Sequence, residues 1–402
     1  MVCLYAVSED WMALQMIVIE LNRLASMPVL VALPLFTFTG VLLTETNAPR
    51  RIMNFLQAVI GWLPGGLAIA ALCSCAFFTA LTGASGVTIV ALGSILYPML
   101  RQEDYPEPFT LGLLTTSGSL GLLFPPSLPV ILYGVISQVD IADLFRAALL
   151  PGILLVAALS LYAAIHRMST ASFPKTENKK ESINWNQVKA AFMAGIWEWP
   201  IVAVLVVGVY GGFVTIAEVA AVILVYVVAV ACFIRKEISV RSQLPGIMVE
   251  SAILSGAIIV ILGFALGFTG YLVDEQIPNR LLDYLTSLTE SKYIFLAGLN
   301  LFLLAVGCIM DIFSAIIIIV PIIVPIALTY GVDPVHLCII FLVNLEIGYS
   351  TPPVGINLFI AGLKFNKPVV LLYRASLPYL ALLLILLLII TYVPALTLAL
   401  AP

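Results

Sequence analysis

Two apolar stretches, Gly121 to Gly134 (GLLFPPSLPVILYG) and Gly348 to Gly362 (GYSTPPVGINLFIAG), are each split by adjacent prolines, Pro125/Pro126 and Pro352/Pro353. Two successive prolines remove two backbone donors and bar the preceding residue from helical geometry, so neither stretch can be one continuous helix. Each is expected to be two half-helices around an unwound joint. The setting makes such a joint costly. Of 402 residues, 62% are hydrophobic and only 10% charged, against about 25% charged in a water-soluble domain, and the mean hydropathy is +1.13. In a membrane an unwound joint is tolerated only where buried protein or a wet cavity satisfies its freed carbonyls, which makes each joint a candidate binding place.

The two stretches belong to a longer duplication. The proline pairs are offset by 227 residues, and the same offset pairs Pro98 with Pro325, Gly121 with Gly348 and Pro151 with Pro378. Upstream the offset drifts to 230, where Phe38-Thr39-Gly40 matches Phe268-Thr269-Gly270, each a few residues before a proline. Chance supplies any one of these pairs easily, but not the ordered set, so the chain carries two copies of one unit.

Residues 1–25 read as an interfacial amphipathic segment, too short in its apolar part to span. The first unit covers 26–166: a span over 28–48, a block over 64–100 interrupted at Thr82-Gly83-Ala84-Ser85-Gly86, a broken helix over 107–138 and a span over 147–165. Each arm of the interrupted block, about 16 residues, reaches only ~24 Å, which predicts a re-entrant hairpin rather than two spanning helices. A basic loop over 167–196 is placed in the cytoplasm by Arg167, Lys175, Lys179, Lys180 and Lys189. Residues 197–254 supply a helix pair and a second interfacial helix; 255–396 form the second unit, with a hairpin broken at Met310-Asp311-Ile312-Phe313-Ser314 and the second broken helix; 397–402 are a tail. The number of crossings between the units is odd, so the second copy is inverted. The expected fold is therefore an all-α membrane protein, an inverted-repeat transporter with two re-entrant hairpins and two discontinuous helices meeting at mid-membrane.

Other functions fit less well. A net charge of −4 offers no basic surface for nucleic acid, and six cysteines and two histidines show no metal-ligand spacing. An intramembrane hydrolase built on Ser85 or Asp311 lacks the paired aspartates, or the serine with histidine, that such chemistry needs. The joints instead suit a hard cation, bound by carbonyls and short polar side chains. Candidate cation ligands are Thr82, Gly83, Ser85, Gly86 and Ser117 in the first unit and Asp311, Ser314, Gly348, Thr351 and Pro352 in the second. Ser119, Pro125, Pro126, Ser127, Pro353, Gly355 and Asn357 are candidate substrate contacts, because half-helix N-termini at Ser127 and Gly355 would present free amides to an anion. Glu346, within one turn of the break, is expected to accept hydrogen bonds from the unwound segment, and Asn300 and Asn344 to bond between helices.

The motifs LFTFTG (35–40), FFTALTGASG (77–86), LYPML (96–100), GLLFPPSLPVILYG (121–134) and EIGYSTPPVGINLF (346–359) together resemble the large transmembrane subunit of tripartite ATP-independent periplasmic (TRAP) transporters. The similarity runs from about Ser26 to the end. It implies an elevator-type carrier in the bacterial inner membrane, sodium coupling with the candidate cation ligands as sodium ligands and no other cofactor, a small four-helix membrane partner, and a soluble periplasmic binding protein that delivers an organic acid. Against the family pattern, a membrane helix usually found upstream of Leu24 is missing, which implies a trimmed start or a scaffold completed by another polypeptide. The tip Gly83-Ala84-Ser85-Gly86-Val87-Thr88 also departs from a pattern with two serines and an acid. A stand-alone anion/sodium symporter of the same architecture is the alternative.

Overall fold

The computed structural model of the protein describes Ile19, Asn22 and residues 26–169, 184–211 and 214–401. Nearly all of the expected N-terminal interfacial segment and the middle of the basic loop lie outside these residues. Among the described residues the chain is entirely helical, with no β-strand. Six helices are long and apolar enough to cross a membrane, or up to eight if each sharply bent pair counts as one span, so this is a multi-pass membrane protein.

A short 3₁₀ turn, Pro28–Val31, leads into α1 (Ala32–Thr44). The amphipathic helix α2 (Ala48–Ile60) follows, burying Ile52 and Met53. Next come α3 (Gly66–Thr82) and α4 (Ser85–Gln102), then α5 (Glu107–Ser117), a 3₁₀ turn (Leu120–Leu123) and α6 (Leu128–Ser137). The long α7 (Ile141–Ser169) closes the first half. After α8 (Trp185–Ala194), α9 (Trp199–Leu205) and α10 (Ile216–Val228) each pass into a wider π turn. A capping box, Thr215 with Glu218, starts α10. The second half contains α11 (Leu244–Asp274), the amphipathic α12 (Ile277–Leu288), α13 (Lys292–Ile309), α14 (Ile312–Thr329), α15 (Pro334–Gly348), α16 (Ile356–Phe365), α17 (Val369–Tyr392) and the short α18 (Ala395–Leu398).

Both proline pairs interrupt their helices as expected: α5 and α6 are bent by 44° across the first break, and seven residues without helix separate α15 from α16 at the second. Both Pro125-Pro126 and Pro352-Pro353 are cis. Three expectations need correction. The hairpin arms α3, α4, α13 and α14 are 17, 18, 18 and 18 residues long, longer than expected, so length alone does not stop them from spanning. The interfacial helix expected before residue 255 and the span after it are one continuous helix of 31 residues, α11, because no proline occurs between Gly246 and Asp274. And α2 and α12, each with a proline in its first turn, were not expected at all.

The packing exchanges elements between the halves. The helix after the first break, α6, lies against the hairpin arm α14, and the helix after the second break, α16, lies against the hairpin arm α4. Likewise α17 packs on α5 and α7 on α15. Around this body α1 is held by α10 and α11, and α2 by α3 and α8. The core is continuous through both halves, with Phe36, Phe78, Tyr133, Phe145 and Phe341 fully buried.

Candidate functional site

The link between α3 and α4 is two residues, Gly83 and Ala84. Gly83 sits at φ +66°, a left-handed conformation that ends α3 at little cost only for glycine. A side chain there would also strike Leu128, the first residue of α6, at 2.6 Å. Leu81, Thr82, Gly83 and Ser85 are buried against the first break, while Ala84 between them is half-buried. Thr79 ties the hairpin to that break, its hydroxyl lying 2.7 Å from the Gly118 carbonyl and 2.9 Å from the Thr88 hydroxyl. Gly121 presses onto α3 so closely that a Cβ would lie 2.1 Å from the Ala76 carbonyl oxygen.

The second half repeats this design with different atoms. The carboxylate of Asp311 caps α14, accepting from the amides of Phe313 and Ser314 at 3.0 Å and from the Ser314 hydroxyl at 2.5 Å. Ile312 N–H donates to the Tyr349 hydroxyl, and Gly355 N–H donates to the Cys308 carbonyl at 3.1 Å. Gly348, the counterpart of Gly121, lies on α13, where a Cβ would come within 2.6 Å of Gly307 backbone. Each hairpin is thus stitched to the broken helix of its own half at the level of the break.

One side-chain bond joins the halves at that level. The buried Ser85 hydroxyl donates to Asn357 Oδ1 at 2.7 Å, across 272 positions of sequence. Asn357 is fully buried, and its Nδ2 has no partner among the described residues. Beside this bond lies a cavity of about 800 Å³. Its inner wall is the first apex (Gly83 to Gly86), Asp311, Tyr349 and Ile356; its outer part runs between α1 and α4, past Glu45, Ser94, Glu250 and Lys364.

Of the residues singled out in the sequence, Gly83, Ser85, Gly86 and Asp311 line this cavity, with Asn357 directly behind Ser85. Thr82 Oγ1 lies 3.4 Å from both the Ala84 carbonyl and Thr88 Oγ1. Several hydroxyls turn back onto their own chain instead: Ser117 to Leu114, Ser119 to Thr116, Ser127 to Leu122 and Thr351 to Ile347. The carbonyls of Pro352 and Pro353 accept from the Cys308 thiol and the Tyr373 hydroxyl. Glu346 is only 1% exposed and, contrary to expectation, neither oxygen accepts a hydrogen bond among the described residues. Asn344 does donate to Asn300 between helices, at 2.7 Å. Thr79, Thr88, Cys308 and Tyr349, which stitch the apices to the breaks, were missed; in sequence each is a short or aromatic residue in an apolar run, with no signal to separate it from packing.

Ion pairs brace the body at the ends that carry the basic residues. Lys367 pairs with Glu107 at 2.5 Å. Arg51 bridges Glu198 and Glu237; burial raises the Glu237 carboxyl, but the Arg51 guanidinium and the Asn47 amide outweigh it and leave it below the usual carboxylate range.

Residues 1–396 match the family described as the DctM component of the tripartite ATP-independent periplasmic transporter. Among curated proteins, the C4-dicarboxylate TRAP transporter large permease protein DctM of Pseudomonas aeruginosa is 35% identical over 373 residues, 92% of this chain and 86% of that one. The isethionate TRAP transporter permease protein DctMQ of Oleidesulfovibrio alaskensis is 36% identical over 94% of this chain, which spans 58% of that longer protein. Among solved structures, the YdaH transporter of Alcanivorax borkumensis shares the fold, with a TM-score of 0.71 over 98% of this chain and 90% of that one at 14% identity.

Proposed function

Because the chain belongs to the DctM family of tripartite ATP-independent periplasmic transporters, we propose that it is the large permease subunit of a sodium-coupled, binding-protein-dependent importer of a small organic acid, working by an elevator mechanism in the bacterial inner membrane. The observation that carries this reading is a cavity that reaches both helix-break regions, lined by the first apex on one side and by Asp311 and Tyr349 on the other. Its outer end lies among Glu45, Ser94 and Lys364, on stretches of chain that lead to Arg50, Arg101 and Lys367. Loops rich in arginine and lysine face the cytoplasm, so the cavity is an inward-open one.

In this reading the two halves are inverted copies, and the bundle of α3 to α6 and α13 to α16 carries the substrate past a scaffold that includes α1, α10 and α11. The exchange of α6 and α16 between the halves, the matched glycines Gly121 and Gly348, and the bond from Ser85 to Asn357 support one moving body rather than two. Sodium is a hard cation and is held where helices unwind, by carbonyls of Thr82, Gly83, Gly348, Thr351 and Pro352 with nearby hydroxyls, without a large buried charge. A small anion is held at the N-terminal end of α16 by the helix dipole and by the side-chain amide of Asn357, whose Nδ2 is unpaired among the described residues. The C4-dicarboxylate and isethionate in the relatives' names are small organic anions of this kind. A small membrane subunit and a periplasmic binding protein complete the system.

Uptake by the reconstituted permease, with its small subunit and binding protein, tests this. A sodium gradient is expected to drive concentrative uptake of a C4-dicarboxylate, isethionate or a related acid, and removing either sodium or the binding protein to abolish it. Uptake that is unchanged without sodium, or that the permease performs alone, contradicts the reading.

A further inference from the structure

An anion leaving this cavity meets a hostile rim. Three carboxylates line it, Glu45 at the end of α1, Glu250 on α11 and Asp311 at the second apex. Asp311 is occupied by capping, whereas Glu45 and Glu250 are exposed on the scaffold side. Lys364 is the sole basic side chain among the described residues lining the cavity. It sits on the opposite, mobile wall. Along α16, Ile356, Ile360 and Lys364 recur every fourth residue and all line the cavity, so one face of this helix forms a track from the break outward. At 1.5 Å per residue the track is roughly 12 Å long. Its inner end is Ile356 at the start of α16, where the helix dipole favours an anion although the Gly355 amide itself is engaged by the Cys308 carbonyl; its outer end carries Lys364, exposed and in no ion pair among the described residues. The neighbouring Lys367, by contrast, is engaged with Glu107.

We propose that Lys364 is a specificity-determining residue on the inward side, the cation that receives the substrate anion between the helix break and the cytoplasm and offsets the repulsion of Glu45 and Glu250. This rests on the importer reading above. The ammonium acts as an exposed point charge on a flexible stem, so its effect is screened by salt and grows with the charge of the anion. A helix-terminal lysine that merely anchors α16 at the membrane surface would show neither property.

The test measures counterflow in proteoliposomes holding the complete transporter, with succinate as dianion and isethionate as monoanion, and determines KM separately at the two faces. Lys364→Gln is expected to raise the inner-face KM about tenfold for succinate and less for isethionate, leaving kcat and the outer-face KM within about twofold; tenfold corresponds to about 1.4 kcal/mol. Lys364→Arg is expected to restore the wild-type value, and added salt to raise the inner-face KM of wild type but not of Lys364→Gln. Lys367→Gln removes the same charge outside the cavity and is expected to leave the inner-face KM unchanged. Equal inner-face KM values for wild type and Lys364→Gln, or equal losses in Lys364→Gln and Lys367→Gln, overturn the assignment while leaving the importer reading intact. A wild-type complex that moves neither acid nor any related anion overturns the importer reading itself.

Discussion

Asp311 shows how one residue in this molecule joins stability to the site. A carboxylate at the start of a helix accepts otherwise unpaired amides, and here its two oxygens take three hydrogen bonds from Phe313 and Ser314 while the side chain faces the cavity. Asparagine can keep that cap and alanine cannot. Asp311→Ala is therefore expected to lower stability by about 1 kcal/mol and Asp311→Asn by less than about 0.5 kcal/mol, read from thermal unfolding of the purified protein. An alanine variant as stable as wild type, or an asparagine variant as weakened as alanine, refutes the capping role. Position 311 was legible in the sequence because an acid deep in an apolar block is costly. Ser85 and Asn357 were legible as members of the candidate site, since each lies at a helix interruption. That they bond to each other was not, because no local signal links residues 272 positions apart. Thr79 and Tyr349 stayed hidden for a related reason: their polar atoms acquire a purpose only when another helix brings a carbonyl or amide to them.

Among the elements, the hairpins and broken helices depend on backbones approaching closely at two matched glycines. Gly121, packed against α3, and Gly348, packed against α13, leave no room for a methyl group, with backbone atoms at 2.1 and 2.6 Å from where it would stand. Overpacking such contacts costs about 1–3 kcal/mol. Gly121→Ala and Gly348→Ala are each expected to lose that much in thermal unfolding and to reduce uptake, since they push a break away from its apex. Gly256→Ala on α11, where nothing lies within 4 Å, is the control and is expected to be neutral or slightly stabilising. If all three behave alike, close approach is not what these glycines provide. Elements announced by a strong local signal were read correctly: paired prolines mark the breaks, and Gly83 and Asp311 mark the apices. Those missed have weaker signals. The helices α2 and α12 bury one narrow face and are otherwise polar, so a search for apolar runs passes over them. The continuity of α11 was obscured by Glu250, which suggested a membrane surface but lines the cavity instead.

On the scale of the whole molecule, the central claim is that one cavity, reaching both helix breaks, opens to one side of the membrane and then to the other as the substrate-carrying bundle moves. Val90 on α4 is 44% exposed and lines that cavity close to the first apex. A thiol placed there reports directly which side the cavity faces. The decisive measurement is labelling of a Val90→Cys variant, with the native cysteines replaced, by a membrane-impermeant maleimide applied to each face in turn. Without sodium and acid, the account predicts labelling from the cytoplasmic face alone. With sodium, binding protein and acid supplied at the periplasmic face, it predicts that cytoplasmic labelling slows and periplasmic labelling appears. Labelling from the cytoplasmic face at a rate that sodium and acid leave unchanged, with none from the periplasmic face, would contradict it.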